Sequence, residues 1–122
     1  MFKKSRKISI NYDSQLSSYI GKDTRVEGTV ITKASLRVDG TIIGGVLSDG
    51  NVVVSESGQV KGNIIAKNII IAGRVDGNMQ ISGEARLEAT ATANGDISSA
   101  VFVKTDEADY RGKSTIIPDG RE

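Results

Sequence analysis

Val60-Lys61-Gly62-Asn63-Ile64 and Val75-Asp76-Gly77-Asn78-Met79 state one phrase twice: an apolar residue, a polar one, glycine, a polar one, an apolar residue. Outward from this pair the phrase returns as Val26-Glu27-Gly28-Thr29-Val30 and, altered, as Ile43-Gly44-Gly45-Val46-Leu47. Later it reads Ala93-Asn94-Gly95-Asp96-Ile97 and Tyr110-Arg111-Gly112-Lys113-Ser114. Gly28, Gly45, Gly62, Gly77, Gly95 and Gly112 thus recur roughly every 17 residues, just below the usual periods of solenoid repeats. That spacing is too short for a pair of helices. It suits one coil of a β-solenoid, built from two or three short strands and tight corners.

Stacking explains why such columns hold. Each turn of a coiled sheet lies about 4.8 Å above the last, so equivalent residues sit over one another. The phrase predicts one column of Val26, Ile43, Val60, Val75, Ala93 and Tyr110, and a second of Val30, Leu47, Ile64, Met79, Ile97 and Ser114. A third is expected through Leu36, Val53, Ile70, Ala85 and Val103. Aliphatic and β-branched side chains fit a pleated, stacked surface. Glycine marks the corner, where the chain needs a positive φ or a close backbone approach.

Composition points the same way. Aromatics make up 4% of the 122 residues and Trp is absent, so a conventional globular core would be poorly furnished. A solenoid needs only a thin aliphatic core. The net charge of +1 gives no reason to expect a specific nucleic-acid partner. Without Cys there is neither a disulfide frame nor a thiolate metal site. No apolar run approaches the roughly 20 residues of a spanning helix. The N-terminus lacks the apolar core of a signal peptide, so a cytoplasmic location is expected.

Three regions follow. Residues 1–19 form a basic tail, expected to be disordered: Met1-Phe2-Lys3-Lys4-Ser5-Arg6-Lys7 precedes any acid, and serines follow. The tail also reads as a membrane-surface anchor through Met1, Phe2, Lys3, Lys4, Arg6 and Lys7. Each basic residue near an anionic leaflet contributes about 1 kcal/mol, and burying Phe2 adds roughly 1.5–3 kcal/mol. One such tail binds weakly; many on a polymer bind firmly. Residues 20–112 form the solenoid. Asn51-Val52-Val53-Val54 and Asn68-Ile69-Ile70-Ile71 are strands of matched position, with Val101-Phe102-Val103 their counterpart in the last coil. Residues 84–93 are Ala-rich and mimic a helix, but are taken as a coil with a small-residue core. Residues 113–122 form a C-terminal tail that holds the single proline, Pro118. An antiparallel meander is the rival, since Asp39-Gly40, Asp76-Gly77 and Asn94-Gly95 are hairpin signals. A meander gives no reason for one phrase to recur at near-constant intervals.

The [IV]-x-G-x-[IV] phrase, Leu36-Arg37-Val38-Asp39-Gly40, the run from Asn68 to Asn78 and the closing Tyr110-Arg111-Gly112 together resemble the bactofilins, bacterial polymer-forming cytoskeletal proteins. The resemblance covers the whole repeat region. It implies an all-β fold, a right-handed triangular parallel β-helix of about six coils. It implies end-to-end, nucleotide-independent assembly into filaments, and scaffolding of cell-shape or envelope-building partners. Met1-Phe2-Lys3-Lys4 matches the family's N-terminal membrane-targeting segment, which implies association with the inner face of the cell membrane. The family's C-terminal aromatic contributes to the polymer contact. That implies Tyr110 as a polymerisation residue, with Phe102 of the same coil as a second candidate.

Chemistry for catalysis is sparse. Histidine is absent, which removes the commonest general base and metal ligand. The hexapeptide period of left-handed β-helix acyltransferases is not sustained, and the acids are scattered among basic residues. Gly112-Lys113-Ser114-Thr115 copies the end of a phosphate-binding loop, but that motif requires glycine where Glu107 stands. The expectation is a structural protein, neither an enzyme nor a cofactor binder, whose first partner is itself. The alternative is a non-polymerising solenoid that binds another protein.

Overall fold

The computed structural model describes residues 8–10 and 17–117, and these contain strands and turns but no helix. In chain order the strands are β1 (Ile8–Ile10), β2 (Ser17–Ile20), β3 (Arg25–Thr32), β4 (Ser35–Val38) and β5 (Thr41–Ser48). Then come β6 (Asn51–Val54), β7 (Gln59–Lys61), β8 (Ile64–Ala66), β9 (Asn68–Ile71) and β10 (Arg74–Asp76). The last are β11 (Met79–Leu87), β12 (Thr92–Asn94), β13 (Ile97–Lys104), β14 (Asp109–Arg111) and β15 (Ser114–Ile116). All pairings are parallel, so the meander is excluded and the chain is a β-solenoid of about 6 turns.

The ladders define three faces. Face A stacks the first half of β3, the first half of β5, β7, β10, β12 and β14. Face B stacks β1, the second halves of β3 and β5, β8, the first halves of β11 and β13, and β15. Face C stacks β2, β4, β6, β9 and the second halves of β11 and β13. β1 and β2 lie ahead of the first glycine phrase, and β15 lies past the last.

Alternation along each strand sends one set of side chains inward. Val26, Ile42, Val60, Val75 and Ala93 are buried on face A, and Val30, Val46, Ile64, Met79 and Ile97 on face B. Leu36, Val52, Ile69 and Ala85 form the third column, with the half-buried Phe102 next in line. Several positions expected from the sequence are corrected by one residue. Ile42 replaces Ile43, Val46 replaces Leu47, and Val52, Ile69 and Phe102 replace Val53, Ile70 and Val103. The cause is the Gly44-Gly45 pair in one case and variable corners in the other. In a strand, a slip of one residue moves the side chain to the opposite face.

Gly44, not Gly45, is the corner glycine of its coil: φ is +147° at Gly44, matching +130° at Gly28 and +155° at Gly62. A Cβ on Gly62 would lie 1.2 Å from the Gly44 carbonyl oxygen, so the stacked corners leave no room for a side chain. A second ladder follows the glycines. The side-chain oxygens of Asn63, Asn78 and Asp96 accept the backbone N–H of Asn78, Asp96 and Lys113 in turn, one coil further on.

The corner between faces C and A explains the uneven coil lengths. In the longer coils it is a β-turn, closed by Gly58 N–H to Ser55, Ala91 N–H to Glu88 and Ala108 N–H to Thr105. In the shorter coils Asp39-Gly40 and Ala72-Gly73 turn directly, donating to the carbonyls of Ile20 and Val54 one coil below. The Ala-rich stretch is a coil, as expected: Ala85, Ala91 and Ala93 are buried, and their small side chains admit the coil without widening the core.

Candidate self-assembly surface

Both end coils break the rule that every strand has two neighbours: at the start β1, β2 and the first half of β3 each have one described neighbour, and the last coil is open in the same way. β14 pairs only with β12, β15 only with β13, and the segment Val101–Lys104 only with β11. Each therefore presents one row of backbone N–H and C=O groups with no described strand beyond it. Such rows are templates for a further strand.

The aromatic residues singled out in the sequence meet here. Phe102 and Tyr110 lie with ring centroids 5.5 Å apart and planes tilted by 49°, packed against the end of the aliphatic core. That separation suits an aromatic pair. Phe102 comes from face C and Tyr110 from face A, so the fold joins residues from two faces. Both are half-buried. Tyr110 stands in the same column as Ala93 and Val75. Its hydroxyl is buried and has no hydrogen-bond partner among the described residues. Burial pushes its pKa above the ordinary tyrosine value.

Sequence reasoning missed the apolar fringe around this pair. Val101 is 51% exposed and Ile116 58%, the largest values for large aliphatic side chains among the described residues, and Val103 is exposed too. Ile116 is exposed because no coil covers its inward column, whereas Val101 and Val103 face outward on either side of the inward Phe102, above Glu84 and Arg86. No local signal marked it, since Val101-Phe102-Val103 is as uniformly apolar as Val52-Val53-Val54 and Ile69-Ile70-Ile71 of internal coils. Charges sit beside them. Asp109 and Arg111 flank Tyr110 on β14 and form a surface ion pair at 3.4 Å, the longest of the five ion pairs among the described residues.

The expected membrane-targeting residues Met1, Phe2, Lys3, Lys4, Arg6 and Lys7 lie outside the described residues. Elsewhere an open groove of about 610 Å³ runs beside Ser48, Asp49, Ile65, Lys67 and Gln80. Its lining mixes an acid, a base, an amide and hydroxyls with aliphatic side chains. Among the described residues no three acidic side chains gather to hold a metal ion. No described helix is long and apolar enough to cross a membrane.

Comparison with known proteins agrees with this geometry. The family model "Bactofilin: Polymer-forming cytoskeletal" matches residues 18–115, nearly all of the solenoid. The chain belongs to the bactofilin family. Among curated bactofilins, BacO of Myxococcus xanthus (strain DK1622) is 29% identical over 96 residues, 79% of this chain and 76% of BacO. BacP of the same organism is 28% identical over 97 residues, 80% of this chain but 40% of BacP. No solved structure matches the chain significantly. As a bactofilin it belongs to a structural, polymer-forming family.

Proposed function

We propose that this chain is the subunit of a nucleotide-independent homopolymer that grows by joining solenoid ends. The observation that carries the reading is the open last coil, where three unpaired strand edges surround the Phe102–Tyr110 pair. Pairing the edges satisfies backbone groups, and closing the aromatic fringe removes apolar surface from water. Neither step needs a bound nucleotide. Clustering of the aromatics at one end favours contact between identical C-terminal ends, which is two-fold symmetric. In this reading the filament rests on the inner membrane face through many copies of Met1–Lys7 and scaffolds envelope-building proteins. It is a structural element, not an enzyme.

Electron microscopy of the purified protein without nucleotide tests the polymer: filaments are expected, and a uniform monomer would favour a solenoid that only binds other proteins. Tyr110→Arg tests the surface. It sets like charges together across a two-fold contact, so growth is expected to stop at small assemblies while each subunit keeps its fold. Tyr110→Phe removes only the unpartnered hydroxyl, and is expected to assemble as the parent does. Light scattering reads both. Long filaments from Tyr110→Arg would move the contact away from this coil.

A further inference from the structure

The three faces of the solenoid differ in charge. All five ion pairs among the described residues lie on faces A and C. Face B has none, and its paired rungs from β1 to β15 contain no charged residue. Its outward column runs Ile31, Leu47, Ile65, Gln80, Ser98, Thr115. The three aliphatic side chains stand on successive rungs, about 4.8 Å apart. Leu47 is 38% exposed and Ile65 44%, although both have a paired rung on each side. Their exposure is therefore a property of the face, not of an open end. Face C also turns two aliphatics outward, Val53 and Ile70, but its column sets Arg37 before them and Arg86 after. Both arginines are held in ion pairs.

The start of the chain joins the uncharged face. β1 pairs with Val30, Ile31 and Thr32 at the head of face B. The basic segment Met1–Lys7 runs directly into β1, with no linker between Lys7 and Ile8. The segment read above as a membrane anchor is thus tethered to face B.

We infer that face B is the surface of the solenoid that lies against an anionic lipid bilayer, with Ile31, Leu47 and Ile65 entering the boundary between headgroups and acyl chains. The inference rests on the membrane contact proposed above and names the part of the folded domain that makes it. An interfacial surface buries aliphatic side chains at that boundary and keeps charge out of it. Here charge is confined to the borders. Lys33 and Lys67 are exposed at the corner with face C, with Asp49 between them, and Asp96 and Lys113 are exposed at the corner with face A. Border lysines can lay their stems along the face and reach headgroup phosphates with their amines. A second copy suits this face less well. Its rungs cover roughly 30 Å by 10 Å, about 300 Å² a side, whereas a specific pair of proteins needs about 800 Å² from each partner.

Site-specific labels in the full chain test the orientation. The chain has no cysteine, so a single introduced one takes an environment-sensitive fluorophore at a chosen outward position. Ile65→Cys reports face B, Ile70→Cys face C and Ile43→Cys face A. With phosphatidylglycerol-containing vesicles, brominated acyl chains are expected to quench the label at position 65 and to leave those at 43 and 70 nearly unchanged. Equal quenching at all three positions, or stronger quenching at 43 or 70, would overturn the inference. So would a shift at position 65 on assembly without vesicles, which would give the face to a neighbouring copy. A charge test is independent of the label. Leu47→Glu with Ile65→Glu is expected to weaken vesicle binding by about tenfold or more. Val53→Glu with Ile70→Glu makes the same change of charge on face C, farther from the lipid and screened from it, and is expected to bind within about threefold of the parent. Circular dichroism checks that both variants keep their strands. Equal losses from the two pairs would mean that net charge, not the face, sets binding, and would overturn the inference. A parent that does not bind the vesicles at all would instead overturn the membrane reading on which it rests.

Discussion

At Gly62 the corner of the coil has no space for even a methyl group. The Cβ would overlap the Gly44 carbonyl, and the φ of +155° is one that L-residues rarely adopt. Gly62→Ala is therefore expected to cost about 3 kcal/mol or more of stability. Gly45→Ala is the control. Gly45 lies beside the corner, without a positive φ, and its nearest obstacle is the Asn63 carbonyl at 3.1 Å. Its melting temperature is expected to fall by much less. Equal losses at both positions would contradict the assignment of Gly44 to the column. Asp39 shows the same dependence on stacked coils. It accepts hydrogen bonds from Tyr19 one coil below, Ser55 one coil above and Arg37 beside it. Ser55 and then Tyr19 do most to hold its pKa at about 2, below the ordinary 3.8. A carboxyl depressed on folding contributes stability above its unfolded pKa and loses it as pH falls through the folded one. The parent should therefore lose stability between about pH 4 and pH 2 through this group. Asp39→Asn should melt lower than the parent at pH 7, with the gap narrowing at pH 2.

At the scale of one strand, β7 shows what a solenoid rung requires. Gln59-Val60-Lys61 places one side chain inward, and Val60 is fully buried between Ile42 and Val75. Val60→Asp would bury a carboxylate in an aliphatic column, at a cost of at least about 3 kcal/mol. Loss of the folded coil and of any filament is expected. A variant with unchanged circular dichroism and melting would show that the column does not hold the coil together. Strand-level reasoning also bears on the surface. The Arg74–Asp76 pair is a solvated same-strand contact, as are Arg25–Glu27 and Arg86–Glu84, and exposed pairs of this kind contribute little to stability. Their outward direction matters more, because it leaves inward positions free for Val, Ile and Ala.

For the molecule as a whole, the ends are finished differently from the middle. Internal coils satisfy their backbone groups against neighbours on both sides, whereas the first and last coils have a described neighbour on one side only; the last coil alone adds an aromatic pair. The proposed polymer follows from these open ends, and the proposed membrane contact draws on it too. A single Met1–Lys7 segment binds weakly, but a row of them acts together. Deleting Met1–Lys7 is expected to release the protein from anionic vesicles and leave filaments intact. In 1 M salt the parent should also bind less, because the screening length falls to about 3 Å. Continued pelleting of the truncated protein with vesicles would place the anchor elsewhere.

The sequence by itself determined the coil, its approximate length and the glycine corners, because stacking repeats one local requirement at every turn. Val26, Val60, Val75 and Ala93 are legible as a column for that reason, and so is the coil character of the Ala-rich segment. Phe102 and Tyr110 were recognisable as aromatic residues gathered in the last coil. What only the tertiary structure decided is the phase of each coil. Gly44 and Gly45 are chemically identical, and the choice between them depends on which one lies over Gly28 and under Gly62. The choice of Val52 over Val53, and of Ile69 over Ile70, depends on corners that turn over different numbers of residues. Runs such as Val52-Val53-Val54 carry no alternation from which to choose. The unpaired edges and the meeting of Phe102 with Tyr110 have no local signature at all. They exist only where stacking stops, and that is a property of the whole stack, not of any one phrase.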